Sequence, residues 1–356
     1  VSASLLFCFF PHYTSFFSEH KTRNLLNPTQ PIVGLAGYVR SELASGSGQF
    51  VDDLKSHGQS LKEAVADKPL LLFLVIGETA RAKNFELGGY SRSTNPQLSQ
   101  ITNLHFQNIL SCGTSTAVSV PCIFSPQGHE RLDVSDARRR SNLLDALQSA
   151  GVDVEWRENN SSSKGVAARA RSRNYLRVPG AAGCSEQGCY DEDMISGLAD
   201  RLRRLKQNSV IVFHQMGSHG PAYWKRYPYQ FESFKPVCKT SELWRCSAQA
   251  LINAYDNTIL YTDHVLATQI RLLESVSAFS DSLLIYVSDH GESLGENGLY
   301  LHGAPYALAP DEQVRVPFII WMTDGYRSRF SIEDNCVQAE LQSPLTHDSI
   351  YHTVLG

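Results

Sequence analysis

The chain has 356 residues, 42% of them hydrophobic, with 36 acidic and 32 basic side chains for a formal net charge of −4. That length can bury a large core as one elaborated α/β domain or as two domains. The balanced charge, with no basic stripe interleaved with aromatics, speaks against nucleic-acid binding, and Arg138-Arg139-Arg140 and Arg201 to Arg204 read as solvated helix faces.

The amino terminus, VSASLLFCFF, is apolar but shorter than the roughly 20 residues of a spanning helix. Tyr13, Phe16 and Phe17 follow it, as aromatics do at a membrane interface. A cut membrane helix and a buried amphipathic helix both fit this stretch. Residues 1–48 therefore read as a membrane-proximal segment ending in the flexible join Ala44 to Gly48, and residues 49–356 as the main domain. There, Pro69 to Ile76 is a continuous apolar strand that stops on Gly77-Glu78-Thr79, and Leu104 to Leu110 is a weaker strand before Ser111-Cys112-Gly113. Asn142 to Ala150 is helical and Val152 to Trp156 a strand. Met194 to Lys206 has the pattern of a charged amphipathic helix, and Val210 to Phe213 is a strand running into His214 and, five residues on, His219. Ser247 to Val276 is a long helix leading to the strand Leu283 to Ser288. Val316 to Met322 is a further buried strand, and SIYHTVLG closes the chain in a helical pattern, so both ends read as cut from a longer protein. Alternating helices and apolar strands predict an α/β fold with a mostly parallel central sheet flanked by helices on both faces.

Six of the eight cysteines fall into close pairs, Cys112 with Cys122, Cys184 with Cys189 and Cys238 with Cys246. Without repeated C-x-x-C, these read as disulfides formed in an oxidising compartment, with Cys8 and Cys336 left over.

The strand ends carry the chemistry. Asp289-His290 directly follows the strand Leu283 to Ser288, Glu78 follows another, and His219 lies in the loop after a third; His302 comes twelve residues after His290. Each alone is equally a cap, a surface carboxylate or a hydrogen-bonded loop histidine, and His214 reads as a packed histidine. In a parallel sheet, however, all carboxyl ends share one edge, so residues more than 200 apart can meet there. Carboxylate oxygen beside histidine nitrogen suits zinc. The segment SCGTSTAVSVPCIF, Ser111 to Phe124, offers hydroxyls in a turn that opens a short helix, whose amino end attracts anions. Capping is the expected fate of Thr114 or Ser115.

Four strings, IGETARAKNFELGGYSRSTNPQL, SCGTSTAVSVPC, HQMGSHGPAY and SDHGESLGENGLYLHG, resemble the phosphoethanolamine transferases of the alkaline phosphatase superfamily, which include the lipid A modifying enzymes of polymyxin resistance. The resemblance covers nearly all of the chain. It implies zinc, one ion tightly bound with room for a second, held by Glu78, Thr116, Asp289 and His290, with Thr116 the nucleophile. It places His219 and His302 at the substrate or a second zinc, and Asn160 with Lys164 as a phosphate-side polar pair; the cysteine pairs match the family's disulfides. It further implies phosphatidylethanolamine as donor, lipid A or another lipopolysaccharide as acceptor, a monomer at the membrane surface, and a periplasmic domain anchored in a Gram-negative inner membrane. A sulfatase or phosphodiesterase would share the metal edge, but no C/S-x-P-x-R signature surrounds Thr116. A silent lipid-binding domain would have no need of every ligand.

Overall fold

The computed structural model describes Val51 and residues 68–176, 184–185 and 188–355. The membrane-proximal segment 1–48, with Cys8 and the Ala44 to Gly48 join, lies outside the described residues.

A seven-stranded sheet forms the centre. Its strands are β1 (Leu70–Gly77), β2 (Leu104–Leu110), β3 (Asp153–Glu158), β4 (Arg171–Asn174), β5 (Ser209–His214), β6 (Asp281–Ser288) and β7 (Arg315–Met322), in the order β2-β7-β6-β1-β5-β3-β4. β1 pairs in parallel with β5 and β6, and β3 in parallel with β5 and β4, whereas β7 runs antiparallel to both β6 and β2. The sheet is mostly parallel, as the alternation predicts, with β7 the reversed strand.

The apolar run of β1 is continuous because both its faces are covered. Leu71, Phe73 and Val75 face one core with the 28-residue helix Ala248–Ser275, while Leu72, Leu74 and Ile76 face the other. At about 1.5–3 kcal/mol per buried side chain, these six residues favour the central position by on the order of 10 kcal/mol. Three shorter helices, Thr116–Ile123 (α1), Leu143–Ser149 (α2) and Asp348–Leu355, contribute to the second core; the long helix is α3. Ser247 caps α3, its side chain accepting from the Ala250 amide, and Asn142 forms a capping box with Asp145 at α2.

Two sequence expectations need correction. Met194 to Lys206 is not one helix: a 3-10 turn Asp191–Ile195 and a short helix Leu198–Leu202 are separated at Gly197, whose φ of 73° is left-handed. Arg201 is not merely solvated, since it pairs with Asp153 at 3.0 Å and with Glu155 on β3. The cysteines behave as the spacing indicates: Cys112–Cys122, Cys184–Cys189 and Cys238–Cys246 are disulfides, and Cys336 is a free, exposed thiol.

Register fixes the site. Gly77 lies beside Ser288 and Ile76 beside His214, so the chain leaves the sheet with Glu78 next to Asp289 and with the β5 loop over both. That loop closes through Ser218, whose amide donates to the Glu78 carbonyl at 2.9 Å. Gly217 makes the approach possible: its φ is 49°, and a Cβ there would lie 2.7 Å from the Glu78 carbonyl oxygen. Gly217→Ala is therefore expected to destabilise the fold by about 1–3 kcal/mol, measured from the shift of the denaturant midpoint.

Candidate metal and phosphate site

Glu78, Asp289 and His290 are fully buried at the carboxyl edge of the sheet, their ligand-type atoms within 4.8 Å of one another. His290 Nε2 lies 3.2 Å from Glu78 Oε1 and 3.5 Å from Asp289 Oδ2. Thr116 Oγ1 donates to Glu78 Oε2 at 2.9 Å and stands 3.5 Å from His290 Nε2. Bonds of about 2.0–2.2 Å put tetrahedral zinc ligands about 3.4 Å apart, and these separations bracket that value. Glu78 Oε1 and Asp289 Oδ2 are buried without a well-directed hydrogen bond among the described residues. Native interiors rarely leave such acceptors orphaned. Two carboxylates, an imidazole and a hydroxyl thus fit a zinc ion.

Titration reflects the crowding. Burial opposes a charge on His290, but the Asp289 and Glu78 carboxylates outweigh it and raise it to about 10. Burial and the Glu78 charge lift Asp289 to about 6, while Glu78, also pushed up by burial, is held well below the usual carboxylate range by His290.

Backbone and side chains hold this cluster in place. Thr79 adopts a left-handed φ of 52°, and its amide donates to Asp289 Oδ1 at 3.2 Å. Such strain persists only where surroundings enforce it. Here Tyr255 of α3 does so, its hydroxyl donating to the Thr79 carbonyl at 2.6 Å and accepting from the Arg81 amide at 2.9 Å. Asn160 follows β3, its side-chain amide donating to Glu78 Oε2 at 2.6 Å and to the Gln215 carbonyl at 3.0 Å. Glu158 supports it, accepting from the Asn160 amide, the Trp156 indole and His214 Nδ1 at 2.7, 2.8 and 3.0 Å. His214 is thus a buried, hydrogen-bonded histidine, as read from the sequence.

The expected phosphate-side pair is placed differently. Both hydrogens of the Asn160 amide are occupied beneath Glu78, while Lys164 bonds Ser161 Oγ and lines a separate cleft with Arg138 and Pro121. Nor do Thr114 and Ser115 cap α1. Thr114 Oγ1 donates to the Ala304 carbonyl at 2.7 Å, and Ser115 makes no side-chain cap bond. Thr116 is the first residue of α1, so its hydroxyl sits at an uncapped helix amino end suited to an anion.

His219 and His302 join the cluster, with ring centres 5.7 Å apart and His302 4.4 Å from His290. Nδ1 of His219 faces the Gly220 carbonyl at 2.7 Å and Nδ1 of His302 faces the buried Glu292 at 3.3 Å, leaving Nε2 of each for chemistry. Burial keeps His219 below the ordinary histidine value. Sequence reasoning missed Glu292, although it stands inside the DHGES string.

It also missed His347. Its Nδ1 accepts from the Cys112 amide at 3.1 Å and its Nε2 donates to the Ser288 carbonyl at 2.9 Å, tying the turn before α1 to the end of β6. No sequence signal marks that role.

The sulfatase family profile matches residues 71–356. The chain is 39% identical to the soluble domain of lipooligosaccharide phosphoethanolamine transferase A from Neisseria meningitidis, with a TM-score of 0.78 over 82% of this chain and 88% of that one. The chain belongs to the phosphoethanolamine transferase branch of the sulfatase family. Among curated members, it is 43% identical to phosphatidylethanolamine transferase Mcr-1 of Escherichia coli and 41% identical to phosphoethanolamine transferase EptA of Salmonella typhimurium, each over 98% of this chain. It spans 64% of the length of those two relatives. The family match begins within β1, so it takes in every strand end of the site.

Two outcomes follow. With His290 at about 10, a metal must displace its proton, so zinc affinity should rise about tenfold per pH unit between about pH 6 and 9, with proton release seen by calorimetry in buffers of different ionisation enthalpy. Burial holds His347 down at about 3. The unfolded chain, with histidine near 6.5, then binds one more proton between those values, and stability falls by about 1.4 kcal/mol per unit as pH drops through that window. His347→Gln should flatten this acid limb by one proton in urea titrations.

Proposed function

We propose that this domain transfers phosphoethanolamine from phosphatidylethanolamine to a lipopolysaccharide acceptor, foremost a phosphate of lipid A, through a covalent intermediate on Thr116, and thereby confers polymyxin resistance. The observation that carries the reading is the position of Thr116 Oγ1, at the open amino end of α1 and 2.9 Å from Glu78 Oε2. Relatives named for phosphoethanolamine transfer support it.

In the first step Thr116 Oγ1 forms a bond to the donor phosphorus, the bond from phosphorus to the glyceride oxygen breaks, and diacylglycerol leaves with a proton. In the second, an acceptor oxygen attacks the same phosphorus, the phosphorus–Thr116 oxygen bond breaks, and the threonine regains its proton. Glu78, Thr116, Asp289 and His290 would hold zinc, which supplies Lewis acidity, lowering the pKa of a bound hydroxyl and neutralising phosphate charge. The Thr116 proton already points at Glu78 Oε2, the nearest group to receive it. The amides at the start of α1 would receive the phosphate oxygens. His219 and His302, each oriented through Nδ1, are placed to give a proton to the leaving oxygen or take one from the acceptor, or to hold a second zinc.

Three disulfides fit an oxidising periplasm, with segment 1–48 as the link to inner-membrane helices and residues 49–356 as a monomeric catalytic domain at the membrane surface. Thr116→Ala is expected to lower transfer by on the order of 10³ or more while leaving the fold and most zinc binding intact. Peptide mass spectrometry after incubation with phosphatidylethanolamine reads it directly: an adduct on any other residue, or none on the unmodified protein, overturns the assignment.

A further inference from the structure

His302 stands between two left-handed residues, Leu301 with a φ of 64° and Gly303 with a φ of 91°. Glycine adopts that conformation freely, whereas leucine does so only where its surroundings enforce it. Leu301 is 8% exposed and its side chain is committed to the core beneath α3, so the turn has to be held through its backbone.

Gln313 supplies that hold. It lies in the short helix Asp311–Val314 that leads into β7 and is 2% exposed. Its Nε2 donates to the Leu301 carbonyl and to Ser293 Oγ, both at 3.0 Å, and its Oε1 accepts from the Ala304 amide at 3.1 Å. The side chain thus grips the residue before His302 and the second residue after it at once. Its backbone is tied to the metal cluster, because the Gly291 amide, next to His290, donates to the Gln313 carbonyl at 2.9 Å. Beyond the loop, the Ala304 carbonyl accepts from Thr114 Oγ1 at 2.7 Å, two residues before Thr116. One buried amide therefore sets the His302 loop against both His290 and the turn before α1.

We propose that Gln313 is a positioning residue for the transfer: by bonding Leu301 and Ala304 it holds the left-handed turn that keeps the His302 ring beside His290, and it acts on the reaction through His302 without touching substrate. Its part in transfer rests on the transferase reading, whereas its hold on the His302 ring does not. Three bonds of this kind need a planar side chain of this length with two donors and an acceptor. Asparagine is one methylene shorter, glutamate keeps the acceptor and loses both donors, and methionine keeps the length and loses all three bonds.

Two measurements on the full chain test this. In protein carrying 13C-labelled histidine, the His302 ring signal, identified by its loss in His302→Ala, is expected to move in Gln313→Met and in Gln313→Glu. The ring signals of His214 and His105 should stay in place, which also shows that both variants are folded. In the second measurement, transfer from phosphatidylethanolamine vesicles to lipid A is followed. Gln313→Met should lower kcat about tenfold while KM changes less than about twofold. In the His302→Ala background the same substitution should cost less than about twofold, because nothing is left for Gln313 to position. A His302 signal unmoved in both variants overturns the proposal, as does an undiminished loss of kcat in the His302→Ala background. The adduct on Thr116 is read separately: its absence in the unmodified protein would overturn the transferase reading, while the ring spectra still decide whether Gln313 positions His302.

Discussion

Two buried carboxylates that face one another beside His290 are the constraint on which the rest of this structure turns. Glu78 and Asp289 are fully buried with ligand atoms within 4.8 Å, and at an effective dielectric of about 20 two such charges repel by roughly 3 kcal/mol, beyond the cost of desolvating each. His290 offsets part of that by taking a proton. A divalent ion would do so more completely, and the ligand separations match a tetrahedral one. The carboxylates are also held by fixed donors. Asn160 bonds Glu78, the Thr79 amide bonds Asp289, and Tyr255 reaches across from the long helix to pin the strained turn between them. The charge is concentrated first by the fold, and the chemistry follows from that concentration.

The parallel sheet makes the concentration possible. Strands that run the same way end on the same edge, so Glu78, Asn160, His219 and Asp289 converge although they are scattered over more than 200 residues. The reversed strand β7 serves the same end. It brings the loop carrying Glu292 and His302 back over that edge before the chain turns into the sheet, and it pairs with β2, whose end leads into the turn before α1. The Cys112–Cys122 disulfide and His347 then fix that turn against β6.

Much of this was legible in the sequence. Fully buried strands must be apolar on both faces, so β1, β5, β6 and β7 stood out as runs, and Glu78 and Asp289-His290, which end β1 and β6, lie together with His219 from the loop after β5. The ligand pattern of Glu78, Thr116, Asp289 and His290 came mainly from resemblance, and the structure sets Thr116 Oγ1 beside Glu78 and His290, and His290 beside Glu78 and Asp289. Less legible were breaks and supports. A helical pattern from Met194 to Lys206 says nothing of a left-handed Gly197, because hydrophobic period is the same on either side of the break.

The sequence by itself determined the buried strands, the edge on which Glu78 and Asp289 fall and the pairing of the cysteines, since each of these is set by local composition or by short separations along the chain. Only the tertiary structure decided that Asn160 bonds Glu78, that Glu292 and Glu158 orient histidines, that His347 joins Cys112 to Ser288, and that Asn159 with Lys225 and Trp224 borders a cleft. These are hydrogen bonds and walls formed between distant segments. A polar side chain shows its type in the sequence, but its partner is chosen by the register of the strands and the packing of the helices that bury it.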